Sequence, residues 1–184
     1  ARKRMRMSPS PAMLVAAKRA LRDTSEFKFK DTTGPFFDED IVGINTELSS
    51  IAQGVDTDDR IGNRITMTRL DLQLLAKNSG GFRVIIYVPK IANANLPNTL
   101  LYHGVDNSKF WVLHDEFYGM PVGGTLSQVA VNLKINKILK IFYSNNTATS
   151  YEKNPIKLYC NCLIRSAGSA ATIEGHTKLW YKDY

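Results

Sequence analysis

Residues 129–143 read Val-Ala-Val-Asn-Leu-Lys-Ile-Asn-Lys-Ile-Leu-Lys-Ile-Phe-Tyr. Val129, Val131, Leu133, Ile135, Leu139, Ile141 and Tyr143 hold odd positions, with Asn132, Lys134, Asn136 and Lys140 between them. Side chains of a strand alternate between two faces, so this period predicts one long strand, apolar on one side and amide- and ammonium-bearing on the other. A strand of this kind needs an apolar layer opposite it, which predicts two packed sheets.

Working upstream, residues 109–118 read as a strand that turns at 119–124 into the long one. Residues 82–88 place Phe82, Val84, Ile86 and Val88 on a core face before Pro89 stops the run. Residues 60–76 form another strand whose apolar phase changes: Ile65 and Met67 are odd, Leu70, Leu72 and Leu74 even. One strand shows both sets to one core only through an extra residue or a bend, so a bulge or kink is predicted between Thr68 and Leu70. Turn chemistry at 78–81 predicts a hairpin between this strand and the next. Further back, residues 25–33 alternate Phe27 and Phe29 against Lys28 and Lys30 until Gly34-Pro35 ends the strand. Residues 40–48 make a further strand. Downstream, 144–155 is a polar loop, 156–165 aligns Ile156, Leu158, Cys160, Cys162 and Ile164, and 172–182 closes the series. The connection 90–108 is long enough to serve a purpose of its own, such as a partner contact.

Eight strands with little helix predict an all-β protein, an eight-stranded jelly roll of two packed antiparallel sheets over residues 25–184. Strand count also fits other sandwiches; the long connections favour strands that cross between sheets. Residues 1–24 form an N-terminal arm, in which residues 12–21 could make a short helix. The formal net charge is +7. Arg2, Lys3, Arg4, Arg6, Lys18, Arg19 and Arg22 precede the first acid, Asp23, and beyond them bases and acids are equal in number. A neutral body with a cationic leader fits a polyanionic partner such as nucleic acid. The chain begins with Ala rather than Met, which leaves open whether residues precede it and whether the arm is longer.

The chemistry of enzymes finds little purchase. His103, His114 and His176 fall in separate segments, no His-x-His occurs, and neither a Gly-x-Ser-x-Gly elbow nor a phosphate-cradling Gly-Lys loop is present. Cys160 and Cys162 point to one face of a strand and read as a reduced, buried pair. No apolar run reaches a membrane span, and the short run after the basic start is too brief for a signal peptide. The expectation is a non-enzyme with no cofactor, no metal and no membrane partner.

The run Gln53-Gly54-Val55-Asp56-Thr57-Asp58-Asp59-Arg60-Ile61-Gly62-Asn63-Arg64-Ile65 resembles a segment of the capsid proteins of small circular single-stranded DNA viruses that encode a replicase. In that family a Gly- and Asp-containing loop leads into an Arg-Ile-Gly-Asn stretch opening a core strand. The basic arm, the strand count, and Val112-Leu113-His114-Asp115 ahead of an aromatic are similar too, and the fold class resembles the coats of satellite plant viruses. The arm is shorter than is usual in the family. The resemblance implies a capsid protein that assembles with itself into a small icosahedral shell, of about 60 copies, around a viral genome of single-stranded DNA. It would be found in the virion and inside the host cell, including the nucleus if Arg-Lys-Arg-Met-Arg also acts as an import signal.

On that reading Arg2, Lys3, Arg4, Arg6, Lys18, Arg19 and Arg22 pair with phosphates without reading sequence. Lys134 and Lys140 are weaker candidates for the same inner surface, against an ordinary polar strand face. Asp56, Asp58, Asp59, Arg60 and Arg64 are candidates for ion pairs at a subunit edge, against a solvated turn. Calcium shared by Asp56, Asp58 and Asp59 of neighbouring copies is a further alternative, although the spacing lacks the glycine and glutamate of a calcium loop. The rival is a cellular β-sandwich module binding nucleic acid or carbohydrate, with Trp111, Tyr118, Trp180 or Tyr181 as its aromatic platform rather than as core or rim packing.

Overall fold

The computed structural model describes Ser10, Met13 and residues 27–38, 43–54, 56, 58–77, 79–91, 94–97, 103–119, 128–144, 151–164 and 171–183. The predicted helix over 12–21 therefore lies outside the described residues, Met13 excepted. Among the described residues ten strands form, not the eight expected: β1 (Phe27–Asp38), β2 (Ile44–Glu47), β3 (Arg64–Lys77), β4 (Ser79–Pro89), β5 (Phe110–Gly119), β6 (Gln128–Ile135), β7 (Leu139–Tyr143), β8 (Tyr151–Lys153), β9 (Lys157–Ile164) and β10 (Thr172–Asp183). They make two antiparallel sheets packed face to face. One runs β1-β10-β3-β7-β8, with β6 also on β3; the other runs β2-β9-β4-β5.

The stretch 129–143 delivers its predicted core face. Val131, Leu139, Ile141 and Tyr143 are buried, and Val129, Leu133 and Ile135 pack against them. It is two strands, however, not one. Both halves pair with β3, Leu70 opposite Ile135 and Met67 opposite Leu139. Between those pairs, residues 136–138 stand against only Thr68 and Arg69. On the other side of β3, Arg69 pairs with Trp180 and Met67 with Tyr181, leaving Thr68 as the extra residue. The predicted bulge is thus centred on Thr68. It lets Ile65 and Met67 share a core with Leu70, Leu72 and Leu74.

Three further expectations fail for physical reasons. Strand β1 does not stop at Gly34-Pro35 but continues to Asp38, with a register shift between Pro35 and Phe37. It is an edge strand, where a residue without an N–H is tolerated, and Phe36, the residue the shift leaves without a cross-strand partner, is buried in the core. Strands β3 and β4 do not form a hairpin: the chain changes sheets, and β4 pairs with β5 and β9. The run Val84–Val88 in β4 is apolar at every position and is buried on both faces, so it takes a central place under a second cover. Finally, the polar loop 144–155 contains β8, whose Tyr151 packs on Tyr143 at 5.2 Å between ring centroids.

That second cover is the long connection after β4 together with Phe110, the first residue of β5. Leu96 and Phe110 join Ile85, Tyr87 and Tyr159 in a small apolar cluster on the outside of the four-stranded sheet. Tyr87 Oη donates to Asn45 Oδ1 at 2.8 Å and accepts from Leu96 N at 3.3 Å. Lys157 Nζ donates to Asn95 Oδ1 at 2.7 Å. The described part of this connection thus roofs its own sheet. Cys160 and Cys162 are buried and free, and burial raises the Cys160 thiol far above its ordinary range.

Candidate nucleic-acid interface

The arm cations Arg2, Lys3, Arg4, Arg6, Lys18, Arg19 and Arg22 lie outside the described residues. The body to which they are attached starts at Phe27, at one end of the six-stranded sheet. Strand register defines what stands there on the outward face. Phe27 pairs with Lys182, Lys182 with Thr66, and Thr66 with Lys140, making one row across four strands. The next row runs Phe29, Trp180, Arg69. A third runs Asp31, Lys178, Asp71, Lys134. Lys134 and Lys140 are both exposed and belong to these rows.

The direction of β1 is set by its charges. Lys28 opposes Tyr181, a core residue, and faces inward. Its ammonium donates to Asp59 O at 2.8 Å and lies 3.8 Å from Asp183 Oδ2. The alternation then puts Phe27 and Phe29 outside, 61% and 41% exposed. Cations cover the rings. Lys182 Nζ is 4.3 Å from the Phe27 centroid, and Lys178 Nζ is 3.9 Å from Phe29 and 5.1 Å from Trp180. The Phe29 and Trp180 centroids are 5.4 Å apart.

Asp71 organises the adjoining row. It accepts from Arg69 Nε at 2.6 Å and from Trp180 Nε1 at 3.0 Å. Burial pushes its carboxyl up, but these hydrogen bonds and the nearby cations outweigh that and hold it below the ordinary carboxylate range. Beside it, Arg69, Asp71, Gln73, Asn132 and Lys134 line a groove of about 570 Å³. Thr66 is buried, and its Oγ1 has no hydrogen-bond partner although its row neighbours are Lys182 and Lys140.

The segment 53–64 is drawn onto its own chain. Arg60 is fully buried. Its guanidinium donates to Ile51 O at 3.1 Å, to Gly62 O, and to Asn63 Oδ1 at 3.3 Å, and it lies 4.0 Å from the Tyr143 centroid. Burial lowers its pKa from the ordinary arginine value. Asp58 Oδ2 accepts from Lys30 Nζ at 2.9 Å, which lowers its pKa. Tyr181 Oη donates to Asp58 O at 2.9 Å, and Asp59 contributes the carbonyl that holds Lys28. Asp56 and Arg64 are exposed. These five residues are therefore not one cluster: Arg60 is an internal fastening, Asp58 and Asp59 tie the loop to β1 and β10, and Arg64 opens β3. Among the described residues no group of three or more His, Cys, Asp or Glu side chains is placed to hold a metal ion.

The other candidates separate as well. Asp115, in the second stretch of the resemblance, takes a two-pronged ion pair from Arg83 at 2.8 and 2.7 Å, while Arg83 Nη1 donates to His103 O at 2.7 Å. Tyr118 stacks on Phe82 at 5.3 Å, and Tyr181 is buried. Trp111 is half exposed beside a pocket of about 400 Å³ with Pro89, Tyr151 and Pro155. Of the four platform aromatics, Trp180 stands beside two cations, Arg69 and Lys178, and Trp111 beside one, with Lys137 Nζ 5.4 Å from its centroid. Phe27, Phe29 and Thr66 were not singled out as contact residues from sequence. The alternation at 27–30 was the available signal for the first two; nothing local marks Thr66. Among the described residues no helix is long and apolar enough to cross a membrane. No protein-family model matches the chain, and no curated protein matches it.

Proposed function

We propose that this chain is a viral capsid protein that assembles with itself into a small icosahedral shell and packages single-stranded nucleic acid. Its sandwich is read as a jelly roll. Strand order supports that reading: β1-β10-β3-β6/β7 faces β2-β9-β4-β5, so the chain repeatedly changes sheets as it wraps around the core. The observation that carries the proposal is the joining of this sandwich to a leader holding the whole net charge. A charge-balanced body can tile without strong self-repulsion, while many leaders gathered in one cavity bind a polyanion with avidity no single leader has. The protein needs no catalytic group or cofactor for this work. Binding of the cargo is electrostatic and largely independent of sequence.

Electron microscopy of purified protein, before and after nuclease treatment, tests the proposal. Uniform closed particles containing nucleic acid are expected. Monomers under every condition of salt and cargo would overturn the shell. A monomer that still binds nucleic acid or sugar would instead support the cellular binding module, for which half-exposed Trp180 is the best placed aromatic.

A further inference from the structure

We propose that the outward face of the six-stranded sheet is itself a binding platform for single-stranded nucleic acid, with bases stacked on Phe27, Phe29 and Trp180 and phosphates lying along Lys182, Lys140 and Thr66. The inference rests on the polyanion-binding part of the proposed function and not on shell formation.

Four features converge on this face. The first is its aromatic content: two phenylalanines on an edge strand stand exposed, and one is next to Trp180. Such rings are costly to leave in water and suit a ligand with its own flat faces. The second is charge. Lys178, Lys182, Lys134, Lys140 and Arg69 stand in the three rows that contain Phe27, Phe29 and Asp31, against Asp31 and Asp71. Both acids already have cationic neighbours, Asp31 with Lys178 at 3.9 Å and Asp71 with Arg69 at 2.6 Å; the His176 ring also lies 3.4 Å from Asp31. The third is Thr66 Oγ1, a buried hydroxyl without a partner between two ammonium-bearing neighbours. The hydroxyl is closed to solvent, so a phosphate oxygen meets it when the side chains over it swing aside, and then accepts from the hydroxyl and from either lysine. The fourth is continuity: the basic leader ends at Arg22, five residues before Phe27 opens the first row.

The opposite sheet makes the contrast. Its central apolar residues Ile85, Tyr87 and Tyr159 are roofed by Leu96 and Phe110, leaving Trp111 and Phe117 of β5 exposed, whereas the lysines over Phe27 and Phe29 are long, flexible and easily displaced. A base can slide beneath such an ammonium group, keeping a cation beside its phosphate and gaining a ring below it. Single strands fit this arrangement because their bases are free to splay; a duplex hides them.

The test uses the full chain and an iodouracil-containing single-stranded oligonucleotide. Photocrosslinks are mapped by mass spectrometry, and affinity is measured by fluorescence anisotropy for Phe29→Ala, Trp180→Ala and Thr66→Val. Crosslinks at Phe27, Phe29 or Trp180 are expected, with affinity falling about tenfold in each aromatic variant. Thr66→Val keeps the shape and removes the orphan hydroxyl, so it should bind more weakly while unfolding at the same or a higher denaturant concentration. Crosslinks confined to residues 1–22, with all three variants binding normally, would overturn the platform and leave the leader's role intact. Equal affinity for a duplex of the same length would also overturn it. A full chain that binds no oligonucleotide would sink the proposed function as well.

Discussion

Arg60 shows how one side chain can convert a recognisable motif from display to fastening. Its guanidinium satisfies the carbonyls of Ile51 and Gly62 and covers Tyr143, whose own hydroxyl donates to Ser49 O at 2.8 Å. Arg60→Met keeps much of the volume but strands these buried acceptors. The expected loss is about 3 kcal/mol in urea unfolding, and Arg60→Lys should recover little because one ammonium cannot span both carbonyls. A loss under about 0.5 kcal/mol would mean water reaches them. Asp71 makes a pH prediction. Its folded carboxyl is held below its unfolded value, so its contribution is complete at neutral pH and disappears as the pH falls through the folded value. Asp71→Asn should therefore cost about 1 kcal/mol at neutral pH and nothing in strong acid. Unfolding curves that stay offset by the same amount at both pH values would refute this. The positions of such residues were poorly legible in sequence. Arg60 reads as a loop charge, and Asp71 meets Trp180 from 109 residues away; both roles depend on strand pairings that no local pattern encodes.

At the scale of the element, the bulge at Thr68 joins two apolar phases into one core. Deleting Thr68 would restore an uninterrupted period of two and turn either Ile65 and Met67 or the leucines beyond them to the outside. Each buried apolar side chain contributes about 1.5–3 kcal/mol, so losing even the shorter set costs about 3–6 kcal/mol. That is comparable with the whole stability of a domain. The deletion should give insoluble protein, while Thr68→Ser should fold normally, since it keeps the residue count and the hydroxyl that donates to Trp180 O at 3.3 Å. A soluble, cooperative deletion variant would show that the register can slip elsewhere. This bulge was legible because a phase change within one strand has few physical solutions. The supposed hairpin of β3 and β4 misled because turn residues mark a reversal of direction, not the sheet that the next strand joins. The better signal was β4 itself, apolar at every position from Val84 to Val88, as a strand covered on both sides must be.

For the whole molecule, the division between a neutral body and a cationic leader predicts how binding answers to salt. Each phosphate neutralised on a single strand adds about −0.7 to the slope of log affinity against log salt. Replacing Arg2, Lys3, Arg4, Arg6, Lys18, Arg19 and Arg22 by Gln should flatten that slope by up to about five. The stacking variants belong to a different regime. Phe29→Ala and Trp180→Ala remove no charge, so they should lower affinity at every salt concentration and leave the slope unchanged. The two sets then act as separate controls on one complex: the leader sets long-range, screened attraction, and the sheet face sets contact at close range. Oligonucleotide titrations over a salt series, on the wild type and both sets, measure each term independently. The lysines of the sheet face should leave a residual slope once the leader is neutralised; a slope that loses none of its steepness would put every phosphate contact on the body, and a slope that falls in Trp180→Ala would mean the ring holds its neighbouring lysines in place instead of meeting a base.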